Sequence, residues 1–175
     1  MDNHLRFMNE AFREAEKAYL ADEIPVGAVI VADNRIIARA FNRTEGLNDP
    51  TAHAEILALG SAAEHLQSWR MEQASIYVTL EPCVMCVGAI LNARIASIFY
   101  GAKDPRFGSC GSRYDLLTDN PYIRNVSAQA GLKGEESLEL IRKFFRNLRD
   151  KVSEGSLADK RRDARVVDRG GLENR

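Results

Sequence analysis

Apolar residues return every three or four positions over residues 2–21, 50–66 and 135–150, the spacing of helices buried along one face. In the first segment Leu5, Met8, Phe12, Ala15 and Tyr19 share a side, behind Asp2 as a candidate N-cap. In the last, Leu138, Ile141, Phe145 and Leu148 do so. The pattern between them changes. "VGAVIVADNRIIARAFN" holds two β-branched runs around Asp33-Asn34, residues that accept the backbone angles of a tight hairpin turn. "ASIYVTL" (74–80) and "ASIFYGA" (96–102) are near-continuous apolar runs, as in strands covered on both faces. "PCVMCVGAILNARI" (82–95) is apolar nearly all round and predicts a buried helix. "NVSAQAG" (125–131) is a weaker strand, and residues 103–121, broken by glycine and proline, form a long functional loop. A helix, a hairpin, then strands alternating with helices predict one α/β domain with a mixed sheet over residues 1–150. Residues 151–175 carry mixed charge and few apolar side chains, and are expected to be a charged tail, disordered or solvent-exposed.

Composition adds limits. The 175 residues are 45% hydrophobic and 28% charged, ordinary for a globular chain able to enclose a core. The net charge of -1 means that any nucleic-acid contact must use a local patch. Arg142, Lys143, Arg146, Arg149 and Lys151 supply one at the end of the last helix. They suit RNA contact or a solvated helix C-terminus equally well. No apolar run approaches the length of a membrane span and the first residues lack an apolar leader, so a cytoplasmic protein without membrane contact is expected.

Three cysteines, an odd number, argue against a disulfide framework. Cys83 and Cys86 instead form C-x-x-C at the start of a helix, behind Pro82 and just after a buried strand. Both sulfurs face one side there, and the helix N-terminus favours thiolates. In the 50–66 helix, Ala52, Ile56, Leu59, Ala63 and Leu66 form one stripe. Glu55 lies within that buried face and His53 on its flank. Taken singly, each has a bland account: Glu55 as a helix-dipole partner, His53 as a satisfied core histidine, the cysteines as small hydrophobes. Taken together, two thiolates and an imidazole suit Zn²⁺, with Glu55 an otherwise costly carboxylate beside it. His65 is three turns along the same helix, His4 belongs to another helix, and Cys110 in "GSCGS" reads as an inert or surface thiol. Three ligands and an open position mark a catalytic metal, whereas a structural one is closed.

"HAE" followed by "PCVMC" resembles the H-x-E…P-C-x-x-C signature of the zinc-dependent nucleobase deaminases. "DPTAHAEI", "TLEPCVMCVGAI" and "YGAKDPRFG" resemble the bacterial tRNA adenosine deaminases within that group, over about residues 4 to 150. Free-cytidine deaminases usually carry Cys in place of His53. Guanine deaminases share the "PTAHAE" stretch, so the "GAKDPRFGSCGS" loop and the basic, aromatic last helix favour the tRNA branch.

The resemblance implies a three-layer cytidine-deaminase-like fold, with about five mixed strands and helices on both faces. It implies one Zn²⁺ per subunit on His53, Cys83 and Cys86. Glu55 would move protons while water attacks C6 of adenine, releasing ammonia and leaving inosine. Asn42, the Ala54 backbone and Pro25-Val26 would form the base pocket. Asp104 and Arg106 would touch the anticodon loop of a tRNA carrying a wobble adenosine, and Phe145 and Arg149 would support flanking nucleotides. The family is usually homodimeric, with active sites near the interface. A free-base or nucleotide deaminase, such as one acting on guanine, is the alternative. A zinc-stabilised binding module is a third reading, and the core-facing Glu55 speaks against it. Residues 151–175 extend past the family's usual end.

Overall fold

The computed structural model describes residues 3–118 and 126–169, with side chains as far as Lys151. Asp2, the candidate N-cap, lies outside them. The chain forms two compact units, Met1–Ile141 and Arg142–Arg175. Among the described residues no helix is long and apolar enough to cross a membrane.

The first unit is built on a five-stranded mixed sheet. Helix α1 (Asn3–Leu20) precedes a hairpin of β1 (Gly27–Ala32) and β2 (Arg35–Phe41). The expected tight turn joins them: Asp33 and Asn34 both take left-handed angles, φ 48° and 59°. Then come α2 (Thr44–Leu47), α3 (Ala54–Leu66), β3 (Ser75–Leu80), α4 (Val84–Asn92), β4 (Ser97–Ala102) and β5 (Ser127–Gln129). The order across the sheet is β2-β1-β3-β4-β5. β1 is antiparallel to both neighbours. β3, β4 and β5 run parallel, so α4 is the crossover between β3 and β4.

Alternation along the strands divides the core into two layers. Ala28, Ile30, Ile76 and Val78 face one side, packed with Ala54, Ala58 and Ala62 of α3 and Ile90 of α4. Val29, Val31 and Tyr77 face the other, against Phe7, Met8 and Ala11 of α1. Helices therefore cover both faces of the sheet, as expected.

Two helical faces differ from the sequence expectation. α1 buries Phe7, Met8, Ala11, Ala15 and Ala18, and leaves Leu5 exposed. α3 buries Ala54, Glu55, Ala58, Leu59 and Ala62, with Leu66 exposed. In both, alanines mark the contact, because the helix backbone itself lies against the sheet. Gly27 shows how closely: a Cβ there would sit 2.1 Å from the Ala11 carbonyl oxygen. α4 is not buried all round either. Cys86, Val87, Ile90 and Leu91 face the core, while Val84 is 49% exposed.

The last helix, α5 (Gly134–Arg169), continues well past Asp150, where the apolar periodicity ends. Lysine, arginine, alanine and leucine sustain helix without an apolar stripe. Leu148, expected on the buried side, is exposed.

Candidate metal centre and its two anchored loops

Two helices begin at one point. His53 is the N-cap of α3 and Cys83 the N-cap of α4, both in extended backbone conformation. Their carbonyls accept the first helical hydrogen bonds, from Leu57 at 3.1 Å and Val87 at 2.8 Å. The positive ends of both helices thus converge on the candidate ligands.

His53 Nδ1 lies 3.7 Å from Cys83 Sγ and 3.5 Å from Cys86 Sγ. The three donor atoms all fall within 4.8 Å of one another. Tetrahedral zinc, with its usual bond lengths to nitrogen and sulfur, holds such atoms about 3.6 Å apart, so the donors fit that ion in both chemistry and spacing. Among the described residues this is the metal-capable group of histidine, cysteine and acidic side chains. Cys110 is outside it, half-buried against the main core.

The donors are coupled. The Cys83 thiol is pushed down to about 4, first by its hydrogen bond with Cys86, with His53 assisting. Cys86 moves far up for the complementary reason, then through burial. A hydrogen bond with Cys83 raises His53, against the effect of burial. Cys83 is thus biased toward the thiolate, the form of a cysteine that binds a metal.

Glu55 is 4% exposed and lies within hydrogen-bonding reach of Cys86. Burial is the largest influence on it and raises its carboxyl above the usual range. A raised carboxyl beside the donor set is placed to carry a proton.

Backbone hydrogen bonds bring the expected pocket residues to the same rim. Asn42 N–H donates to the Val26 carbonyl at 3.0 Å, and Arg43 N–H to Ala52 at 3.0 Å. Pro25, Val26 and Ala54 are buried there. The Asn42 amide NH₂ donates to Thr44 Oγ1 at 3.1 Å and to Glu23 Oε2 at 3.4 Å. A carboxylate only accepts, so this fixes the amide's orientation, with its NH₂ on Glu23 and Thr44 and its carbonyl oxygen on the other side. Asp104 and Arg106 stand in the 103–118 loop, tied to the ligands where Gly108 bridges Cys83. Phe145 and Arg149 lie on α5 in the second unit, Phe145 edge-on to Phe144 at 5.4 Å.

Two buried carboxylates escaped the sequence reading. Glu23 accepts from the N–H of Gly46 at 2.7 Å and Glu45 at 3.2 Å, and anchors the loop that carries Asn42. Glu81 accepts from the N–H of Asp104 at 3.0 Å, Cys110 at 3.0 Å and Ser112 at 3.1 Å, and anchors the 103–118 loop. Each stands within two residues of a proline at a strand end, Glu23 ahead of Pro25 before β1 and Glu81 ahead of Pro82 after β3. No local pattern marks either residue, because their backbone partners lie 22 to 31 residues along the chain.

Comparison with known proteins places this geometry. Residues 2–149 match the MafB19-like deaminase family, and the chain belongs to it. A tRNA-specific adenosine deaminase of Agrobacterium fabrum is 45% identical over 149 residues, 85% of this chain and 98% of the relative. A solved structure from studies of A-to-I editing by tRNA:A34 deaminases at the wobble position superposes with a TM-score of 0.75 at 45% identity, covering 77% of this chain and 98% of that one. A guanine deaminase from Bacillus subtilis superposes with a TM-score of 0.55 at 36% identity, covering 66% and 76%.

Proposed function

We infer that the chain catalyses hydrolytic deamination of adenosine to inosine at the wobble position of a tRNA anticodon. The observation that carries the reading is a His53, Cys83 and Cys86 set at zinc spacing with the buried Glu55 beside it. The tRNA-specific relatives, which this chain covers nearly end to end, support the substrate.

His53, Cys83 and Cys86 would hold one Zn²⁺. A zinc ion held there supplies a Lewis acid that makes water nucleophilic at neutral pH. Glu55 takes one proton of the attacking water and passes it to N1 of adenine; it then takes the second from the oxygen newly bonded to C6 and delivers it to the amine as the C6–N bond breaks. Ammonia and inosine leave. The Pro25-Val26 segment and the Ala54 backbone wall the pocket, and the Asn42 carbonyl oxygen accepts a hydrogen bond from the nucleoside. Asp104 and Arg106 meet the anticodon loop, and Phe145 and Arg149 support flanking nucleotides. An unpaired loop base enters such a pocket without breaking a pair. Residues 1–150 are the catalytic domain, and residues 151–175 a charged extension. The three free cysteines suit the reducing cytoplasm, where tRNA is found.

The active unit is a homodimer. Val84, Met85, Gly88 and Ala89 form an uncharged stripe on the outer side of α4. It runs into a groove of about 490 Å³ edged by Leu59, Ala63 and the exposed Trp69. A second copy covers this face. Nothing lies within 4 Å of a Cβ at Gly88, so Gly88→Arg should fold normally yet elute as a monomer. A dimer that persists in that variant places the interface elsewhere.

The deciding assay offers the purified protein an anticodon stem-loop with a wobble adenosine, and separately free adenine, guanine and cytidine, with mass detection. Inosine in the stem-loop is expected. Turnover of a free base alone would overturn the reading in favour of a base deaminase. Metal analysis should return one zinc per chain, and a chelator should abolish turnover until zinc is restored.

A further inference from the structure

The 103–118 loop ends in two exposed aromatic rings that the proposed chemistry does not use. Phe107 is 58% exposed and Tyr114 48% exposed. Each carries a guanidinium on it: Arg106 lies 5.3 Å from the Phe107 ring centre, and Arg113 lies 5.7 Å from that of Tyr114. The two pairs radiate from one residue. Phe107 precedes Gly108, and the N–H groups of Arg113 and Tyr114 both donate to the Gly108 carbonyl at 3.0 Å. Gly108 in turn bridges Cys83, one of the candidate metal ligands.

The loop is held from beneath. Glu81 gathers three of its N–H groups, and Ser109 N–H donates to the Pro82 carbonyl at 2.9 Å. A Cβ on Gly108 would lie 2.5 Å from the Glu81 carboxylate, so only glycine lets the loop close this tightly. The rings therefore stand on a preorganised base.

The charge around them points to the partner. Both acids of the loop are turned into its own turns: Asp104 Oδ1 accepts from Arg106 and Phe107 N–H, and Asp115 Oδ1 from Leu117 and Thr118 N–H. Lys103, Arg106 and Arg113 remain exposed as cations. Large rings backed by guanidinium groups, in a cationic field and on a loop bridged to the candidate metal centre, suit stacked nucleobases with a phosphate backbone. A protein partner would call for aliphatic neighbours, which the loop tip lacks.

We propose that Arg106–Phe107 and Arg113–Tyr114 form a two-ring stacking platform for the unpaired nucleotides on either side of the target base. This rests on the RNA-deaminase reading. Each ring presents one face to its arginine and the other to a base. The two together hold the single strand open over the metal centre.

The test uses an anticodon stem-loop with 2-aminopurine beside the target adenosine, and zinc-loaded Glu55→Ala protein for binding without turnover. Stacking should quench the fluorophore. Phe107→Ala or Tyr114→Ala, added to that protein, should remove much of the quench, and Phe107→Trp should keep it. In the otherwise wild-type enzyme each alanine should raise KM about ten-fold or more, with the loss falling on KM rather than kcat. Arg113→Ala should flatten the dependence of binding on salt. Unchanged quench and KM in both alanine variants would overturn the platform. So would alanine variants that elute as monomers, since a second copy would then be what covers the rings. A wild-type enzyme that neither binds nor deaminates the stem-loop overturns the RNA reading, and the platform with it.

Discussion

Replacing Glu81 by glutamine removes one acceptor oxygen and changes little else in size. In the wild-type chain Oε1 accepts from Cys110 and Ser112 N–H, and Oε2 from Asp104 N–H. Glutamine keeps one oxygen, which goes to the pair of donors. Its NH₂ then faces the Asp104 N–H, donor against donor. The loss comprises one charge-assisted hydrogen bond, the weakening of two others, and a buried N–H left unmet, roughly 2–4 kcal/mol together. For a chain of this length that lowers Tm by roughly 5–15 °C. Urea denaturation of the zinc-loaded variant measures the first quantity, and amide exchange locates it. Exchange should quicken most at Asp104 and less at Cys110 and Ser112. Zinc content should stay at one per chain, because Glu81 touches the loop and not the ligands. A loss below about 1 kcal/mol, or equal quickening at all three amides, would refute the account of Glu81 as the loop's anchor.

Glu55→Gln should retain zinc and fold normally, while kcat falls by at least the hundred-fold or more typical of a lost proton carrier. A variant with wild-type turnover would remove Glu55 from the chemistry. The Cys110 thiol is pushed up to about 12, first by burial and then by Glu81. A raised thiol stays protonated below that value, so at pH 8 only about one part in ten thousand is thiolate, and iodoacetamide should leave Cys110 unlabelled in the folded enzyme. Rapid labelling would contradict its burial. Gly27→Ala should destabilise by about 1–3 kcal/mol or more, because the added methyl meets the α1 backbone at Ala11 and Ala15. A melting temperature within a degree of wild type would mean that α1 stands off the sheet.

The metal set was legible in the sequence because it is local chemistry at fixed spacing. C-x-x-C at a helix start and H-x-E at another need only helix geometry to present their groups, and the hairpin turn at Asp33-Asn34 follows from backbone preference alone. The buried faces of α1 and α3 depart from their apolar stripes because hydrophobicity does not mark the contact there. Where helix backbone meets sheet, as at Gly27, the contact residues are alanines, and Ala11, Ala15, Ala54, Ala58 and Ala62 carry little weight on any hydrophobic scale. Glu55 nonetheless falls on the buried side of α3, by stripe and by structure alike. The two loop anchors were invisible for a different reason. Glu23 and Glu81 bind backbone N–H groups far along the chain, and no local pattern marks such a partner. The consequence is a division of labour within the site. Residues that do chemistry stand at helix starts, where sequence betrays them. Residues that shape the pocket act through buried carboxylates holding loops, and those become visible only once the chain has folded.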